Sequence, residues 1–208
     1  MFSGITRGTF EVDRVERSEG LLRYGVVLGP SYIEGLELGA SVSIDGVCQT
    51  VVAIEGNSAI FEAIDETLRL TTLDALEVGD RVSVERSLRA GDEIGGHEVS
   101  GHVRGMGRIV WAEVAGAGRD LRIEVPARWM RFILEKGFVA VDGSSLTVGE
   151  IDAAGSFKLH LIPETLRLTR LGEKGVGERV NIELDARTVA IVETVERVLA
   201  QRSAAGGS

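Results

Sequence analysis

A chain of 208 residues, 44% hydrophobic with 27 glycines and 3 prolines, has room for one large domain or two small ones around a substantial core. Its formal net charge of −9, with no long basic cluster, argues against nucleic acid, whose phosphates need grouped cations. No apolar run approaches the ~18–20 residues of a membrane span, and the single cysteine, Cys48, excludes an internal disulfide and suits a reducing cytoplasm.

The opening Met1-Phe2-Ser3-Gly4-Ile5-Thr6-Arg7 lacks the long apolar stretch of a signal peptide. After it, short runs rich in Val, Ile and Thr alternate with glycine-bearing turns, the pattern of an all-β chain. Residues 37–44 predict a strand. Asp45-Gly46 predicts a two-residue hairpin turn, which needs positive φ, and residues 47–54 the returning strand.

Near residue 97 the chain begins again. Ser3-Gly4-Ile5-Thr6-Arg7-Gly8 returns as Ser100-Gly101-His102-Val103-Arg104-Gly105, a shift of 97. Asp45-Gly46-Val47-Cys48-Gln49-Thr50-Val51 returns as Asp142-Gly143-Ser144-Ser145-Leu146-Thr147-Val148 at the same shift. Glu66-Thr67-Leu68-Arg69-Leu70-Thr71 returns as Glu164-Thr165-Leu166-Arg167-Leu168-Thr169, shifted by 98, and Gly79-Asp80-Arg81-Val82 as Gly177-Glu178-Arg179-Val180. Three or more motifs in one order at a near-constant offset mark two copies of one domain, residues 1–96 and 97–184. Six or so strands per copy suggest a small closed Greek-key barrel.

Past residue 184 the period changes. Val189, Val192, Val195 and Leu199, flanked by Ile191 and Val198, follow helical spacing over 185–201, with Asp185 as N-cap and Glu193, Glu196 and Arg197 on the other face. Such a helix either docks on its own barrel or packs against its copies in other subunits. Residues 202–208 predict a disordered tail.

On a strand, residues two apart share a face. Cys48 and Thr50 therefore point one way and Val47 and Val51 the other, and Ser145 and Thr147 are set against Leu146 and Val148. Each copy thus presents a small nucleophilic or hydrogen-bonding pair. His97 and His102 are five apart, on opposite faces of an unbroken strand, with no further ligand at zinc spacing. Proton transfer suits one of them better, since imidazole titrates near neutral pH, while a structural role fits His97 equally well. Lys136, taken alone, reads as a surface lysine.

Met1-Phe2-Ser3-Gly4-Ile5, the Asp45–Val51 motif, Gly95-Gly96-His97 through His102, Lys136-Gly137, the Asp142–Val148 motif and Leu161-Ile162-Pro163-Glu164-Thr165-Leu166 together resemble the riboflavin synthases, from Met1 to about Ala200. The resemblance implies two six-stranded β-barrels and a C-terminal helix, assembled as a homotrimer through those helices. It implies a catalytic site between the N-terminal barrel of one subunit and the C-terminal barrel of a neighbour. The implied reaction is a dismutation in which one 6,7-dimethyl-8-ribityllumazine gives a four-carbon unit to another, without metal or organic cofactor. An association with lumazine synthase is also within its scope.

By the same resemblance, Gly4, Ile5, Thr6, Cys48, Gln49, Thr50, Glu62, Ala63, Ile64, Asp65, Glu66 and Thr67 bind one lumazine. Gly101, His102, Val103, Ser145, Leu146, Thr147, His160, Leu161, Ile162, Pro163, Glu164 and Thr165 bind the other. Lys136 reaches across the subunit boundary, and Cys48, His102, Lys136, Ser145 and Asp185 are the catalytic candidates. Two positions depart from the family's habit: Gln49 stands where Leu is usual, and Ser144 is unusually polar. Alternation sends Gln49 inward, where an unpaired amide is costly, so it is expected near a barrel rim or turned out by a strand irregularity. Two other readings, a non-catalytic lumazine or flavin carrier and an interaction module without ligand, sit less well with the retained polar set.

Overall fold

The computed structural model describes residues 1–205. The first copy contains β1 (Gly8–Ser18), β2 (Leu21–Val27), β3 (Ser41–Ile44), β4 (Val47–Glu55), β5 (Ser58–Ile64) and β6 (Arg81–Arg86). They close into an antiparallel barrel in the order β1-β2-β5-β4-β3-β6. The second copy repeats this with β7 (Gly105–Ala115), β8 (Gly118–Glu124), β9 (Phe138–Val141), β10 (Ser144–Asp152), β11 (Ser156–Leu161) and β12 (Arg179–Leu184), in the matching circular order. Closure leaves no free edge, so the backbone groups of each sheet are paired all round. Short helices α1 (Pro30–Ile33), α2 (Asp65–Leu70) and α3 (Pro163–Leu168) lie between strands, and α4 (Ala186–Ala205) ends the chain.

Alternation explains the filling of each barrel. Val12, Leu22, Tyr24, Val42, Ile44, Val51, Phe61 and Val82 pack inside the first. Ile109, Leu121, Ile123, Val139, Val148, Phe157 and Ile182 pack inside the second. The duplication, the all-β class and the six strands per copy are as the sequence implies. The strand expected over 37–44 is shorter: it begins at Ser41, because Ala40 N–H turns back to the Glu37 carbonyl and Gly39 sits at φ 83°.

The two Asp-Gly turns adopt the expected left-handed geometry, with φ of 43° and 83° at Asp45 and Gly46 and of 44° and 80° at Asp142 and Gly143. They abut across the barrel–barrel seam, Gly46 lying against the backbone of Gly143. Asp142 and Lys174 form a buried ion pair of 2.6 Å at this seam. Asn181 ties the copies together by donating to the Asp45 carbonyl at 2.8 Å and to Thr72 Oγ1 at 2.9 Å.

Asp185 caps α4, accepting from the N–H and the hydroxyl of Thr188 at 2.9 and 2.6 Å. Only Val189 and Val192 of the apolar stripe pack on the second barrel, while Ile191, Val195, Val198 and Leu199 are exposed. The helix also runs further than expected. It continues through Ser203, whose hydroxyl donates to the Leu199 carbonyl, to Ala205, so the first part of the expected disordered tail is helical. Arg202, Ser203, Ala204 and Ala205 include no glycine or proline that would interrupt the helix. The rest of that tail, 206–208, lies outside the described residues.

Candidate active site

The chain segments that precede each barrel build the site. Residues 1–7 form an arm, and residues 98–104 form its repeat. Each arm is pinned by a buried carboxylate at the end of its own barrel. Glu85 accepts from the N–H and hydroxyl of Ser3, both at 2.7 Å, and from Gly4 N–H at 3.0 Å. Glu183 does the same for Ser100, at 2.7 and 2.7 Å, and Gly101, at 2.9 Å. Burial pushes the Glu85 carboxyl above its ordinary value, and the bonds from Ser3 and Gly4 oppose that.

From those anchors the arms cross over. Gly4 offers its carbonyl to Ser145 N–H at 2.8 Å, in the second barrel, and Gly101 offers its own to Cys48 N–H at 2.9 Å, in the first. A Cβ on Gly4 would fall 2.6 Å from that of Ser145, and one on Gly101 would fall 2.6 Å from that of Cys48. Both glycines have positive φ, 74° and 80°, which other side chains rarely adopt.

The crossing creates two matched clefts. The first, about 200 Å³, is lined by Cys48, Glu66, Thr67, Leu70, Gly101, His102 and Val103 among others. The second, about 150 Å³, is lined by Gly4, Ile5, Thr6, Ser145, Glu164 and Thr165 among others. This corrects one expectation. Gly4–Thr6 belong with Ser145 and Thr165, and Gly101–Val103 with Cys48 and Thr67, the reverse of the grouping by repeat. Ligand pockets commonly enclose about 300–1,000 Å³, so each cleft is smaller than such a pocket. A larger cavity of about 770 Å³ beside α1, Arg86 and Arg89 contains none of the candidate residues.

Several of the other candidates lie apart from the clefts. Glu62 pairs with Arg23 on the barrel wall, Ala63 and Leu161 are core, and Ile64 and Asp65 are exposed. Thr50 and Thr147 face outward on their strands, as alternation requires. His160 is exposed and bonded to Asp120 at 2.7 Å. Leu146 and Ile162 reach the second cleft, and Pro163 opens α3 beside it. Lys136 is exposed at φ 65°, where the first copy has Gly39, and touches neither cleft of its own chain. Burial raises the Asp185 carboxyl, but the Thr188 hydroxyl and N–H outweigh it and hold the group below its usual value.

Gln49 is carried inward with Val47 and Val51 and is buried. The irregularity in β4 lies beyond it, between Val51 and Ala53, so nothing turns Gln49 outward. Its Nε2 donates to the Cys48 carbonyl at 3.0 Å, and its Oε1 has no partner among the described residues. Ser144, also buried, meets Thr6 Oγ1 at 3.3 Å, so its polarity serves the crossed arm.

Sequence reasoning missed Glu85 and Glu183. They occupy the same place in the two copies, 98 apart, and that match was the available signal. It also left His97 undecided. His97 is buried, stacked on Phe138 at 5.2 Å, and its Nδ1 lies 2.6 Å from Ser145 Oγ.

Comparison with known proteins agrees with this architecture. The lumazine binding domain family matches residues 3–87 and again residues 100–185. Riboflavin synthase of Escherichia coli (strain K12) is 45% identical over 97% of this chain and 95% of its own. Riboflavin synthase of Chlamydia pneumoniae is 40% identical over 96% of this chain and 98% of its own. Among solved structures, LumP complexed with riboflavin superposes with a TM-score of 0.82 at 25% identity, covering 89% of this chain and 100% of that one. With both copies matched and the likeness running through the whole chain, this protein belongs to the riboflavin synthase family, built on two lumazine-binding domains.

Proposed function

We propose that the protein converts two molecules of 6,7-dimethyl-8-ribityllumazine into riboflavin and 5-amino-6-(D-ribitylamino)uracil by transferring a four-carbon unit, which makes it a transferase. The carrying observation is the pair of pseudo-symmetric partial clefts, each with a glycine arm, a threonine on a short helix and a small nucleophilic side chain, Cys48 or Ser145. Two like clefts suit two copies of one ligand. Holding two rings in a fixed stack turns a bimolecular encounter into a positioned one, worth up to ~7–11 kcal/mol of barrier when geometry is good. The protein's own contribution is this positioning, together with proton transfer at Ser145, His102 and their neighbours. The reading invokes no cofactor.

The complete site joins the first cleft of one subunit to the second cleft of another in a homotrimer. Three features support this: the small size of each cleft, the uncovered stripe Ile191, Val195, Val198 and Leu199 on α4, and Lys136, which reaches no cleft of its own chain. We place the protein in the cytoplasm, in keeping with its free Cys48; among the described residues, no helix is long and apolar enough to cross a membrane. Association with lumazine synthase, a natural neighbour for an enzyme consuming lumazine, belongs to the same reading.

Incubating the purified protein with the lumazine tests the reaction. Continuous formation of riboflavin supports it. A stoichiometric spectral shift without turnover indicates a carrier instead.

A further inference from the structure

The two clefts differ in one respect that the duplication did not copy. Ser145 Oγ lies 2.6 Å from Nδ1 of His97. The ring is held by its stack on Phe138, 5.2 Å between centroids at 15°, and is 8% exposed. Nε2 is buried without a partner among the described residues. Among the described residues, the first cleft has no equivalent. Cys48 accordingly has no imidazole bonded to it. His102, which lines that cleft, stands where the second cleft has Ile5.

We propose that His97 activates Ser145, so that the cleft of the second barrel holds the lumazine that is opened by nucleophilic addition, the four-carbon donor, and the cleft of the first barrel holds the acceptor. The assignment rests on the dismutation proposed above. In the addition, Ser145 Oγ forms a bond to ring carbon C7 while its proton passes to His97 Nδ1. The π pair of the C7=N8 bond, in the charge-separated form of the lumazine, moves onto N8. When the C–O bond breaks, Nδ1 returns the proton to Oγ, so His97 and Ser145 end the cycle as they began. His97 acts through Ser145 and is therefore a positioning and activating residue. It needs a free lone pair on Nδ1, hence a proton on Nε2.

The surroundings suit that state. Burial lowers the basicity of His97, while Asp185 at the start of α4 and Glu183 at the end of β12 oppose the drop. Phe138 from β9 and Ser145 from β10 face the ring and carry no charge near neutral pH. The imidazole is thus neutral, and able to take a proton, down to more acidic conditions than a free one.

Two measurements test this. The first is kcat against pH for the wild type, His97→Gln and Ser145→Ala, each checked for folding and for lumazine affinity. The wild type is expected to lose kcat on the acid side, below the ordinary imidazole range. Both variants are expected to lose roughly 10²-fold in kcat, with the acid limb gone and affinity little changed. The second uses lumazine labelled with ¹³C at C7 and chains with one cleft blocked. With the first cleft filled by Thr67→Trp, bound lumazine should show a tetrahedral C7 resonance that disappears when Ser145→Ala is added. With the second filled by Thr165→Trp, only the trigonal resonance should remain. The reverse pattern, or an unchanged acid limb in a folded, active His97→Gln, overturns the assignment. A wild type that makes no riboflavin defeats the underlying reaction instead, so the two failures are told apart.

Discussion

Ser145 donates its backbone N–H to the carbonyl of Gly4, 141 positions earlier and in the other repeat, at 2.8 Å. Cys48 does the same to Gly101 at 2.9 Å. Each barrel is therefore completed by the arm of its twin, and neither copy can form its cleft alone. Alanine at Gly4 should spoil only the second cleft and alanine at Gly101 only the first. Each adds a Cβ into a 2.6 Å contact at positive φ. Calorimetric titration with the lumazine should show one of two binding sites per chain weakened by at least ~10-fold, about 1.4 kcal/mol. Equal weakening of both sites by either variant would contradict the crossed arrangement.

Cys48 and His102 line the first cleft together, Cys48 half-buried and His102 exposed. Cys48→Ser keeps the packing volume and loses thiol character. His102→Gln removes the imidazole and keeps a polar side chain of similar reach. Both should lower kcat by ~10-fold or more while moving the melting temperature by no more than a few degrees, since neither creates a cavity. A large loss of melting temperature with unchanged kcat would mark them as structural.

At the seam, burial first and the nearby Asp142 second push the Asp45 carboxyl up to about 6, against the pull of Lys174, Ser83 N–H and Arg170. A carboxyl whose value rises on folding stabilises the fold while protonated. Its contribution is complete below about 4, its unfolded value, and is lost as pH rises through about 6. Asp45→Asn keeps an acceptor for Ser83 N–H, which now bonds Asp45 Oδ1 at 2.7 Å. The variant should gain on the order of 2 kcal/mol relative to wild type between about pH 4 and about pH 7.5 in denaturant titrations. A difference that does not change with pH would show that Asp45 does not titrate in this window.

Gln49 is buried with Oε1 unpaired, and its counterpart in the other copy is Leu146. Gln49→Leu should stabilise the protein by about 1 kcal/mol, since an unsatisfied buried acceptor costs about 1–3 kcal/mol. For a domain of this size that corresponds to a melting temperature higher by about 2–4 °C. A lower one would mean that Gln49 Oε1 has a partner in the assembled protein.

Legibility in the sequence depended on whether a feature was copied. The repeat offsets exposed the two barrels, the paired Asp-Gly turns and the Cys48–Ser145 match, and helical spacing after Asp185 exposed α4. What resists reading is relational. An offset says which residues correspond, but not that Gly4 packs on the other copy's Ser145. Nor does it flag what the copies do not share: Lys174, which stands opposite Leu76 and forms an ion pair with Asp142, or the bond between His97 and Ser145. Glu85 and Glu183 were copied and could have been found. A repeated carboxylate at the end of a strand, however, reads as surface charge until the arm it pins is seen.

Subunit complementation tests the central claim, a site shared between unlike clefts of neighbouring chains. Thr67→Trp fills the first cleft and Thr165→Trp the second, at matched positions on α2 and α3, where bulk should block the ligand without disturbing a core. Each variant alone should be inactive as a correctly sized oligomer in gel filtration. When the two are unfolded together and refolded, some neighbouring pairs join an intact first cleft to an intact second cleft, and riboflavin formation should return. If verified mixed oligomers of two folded variants stay inactive, the site does not span two subunits and the account of how the clefts combine is wrong.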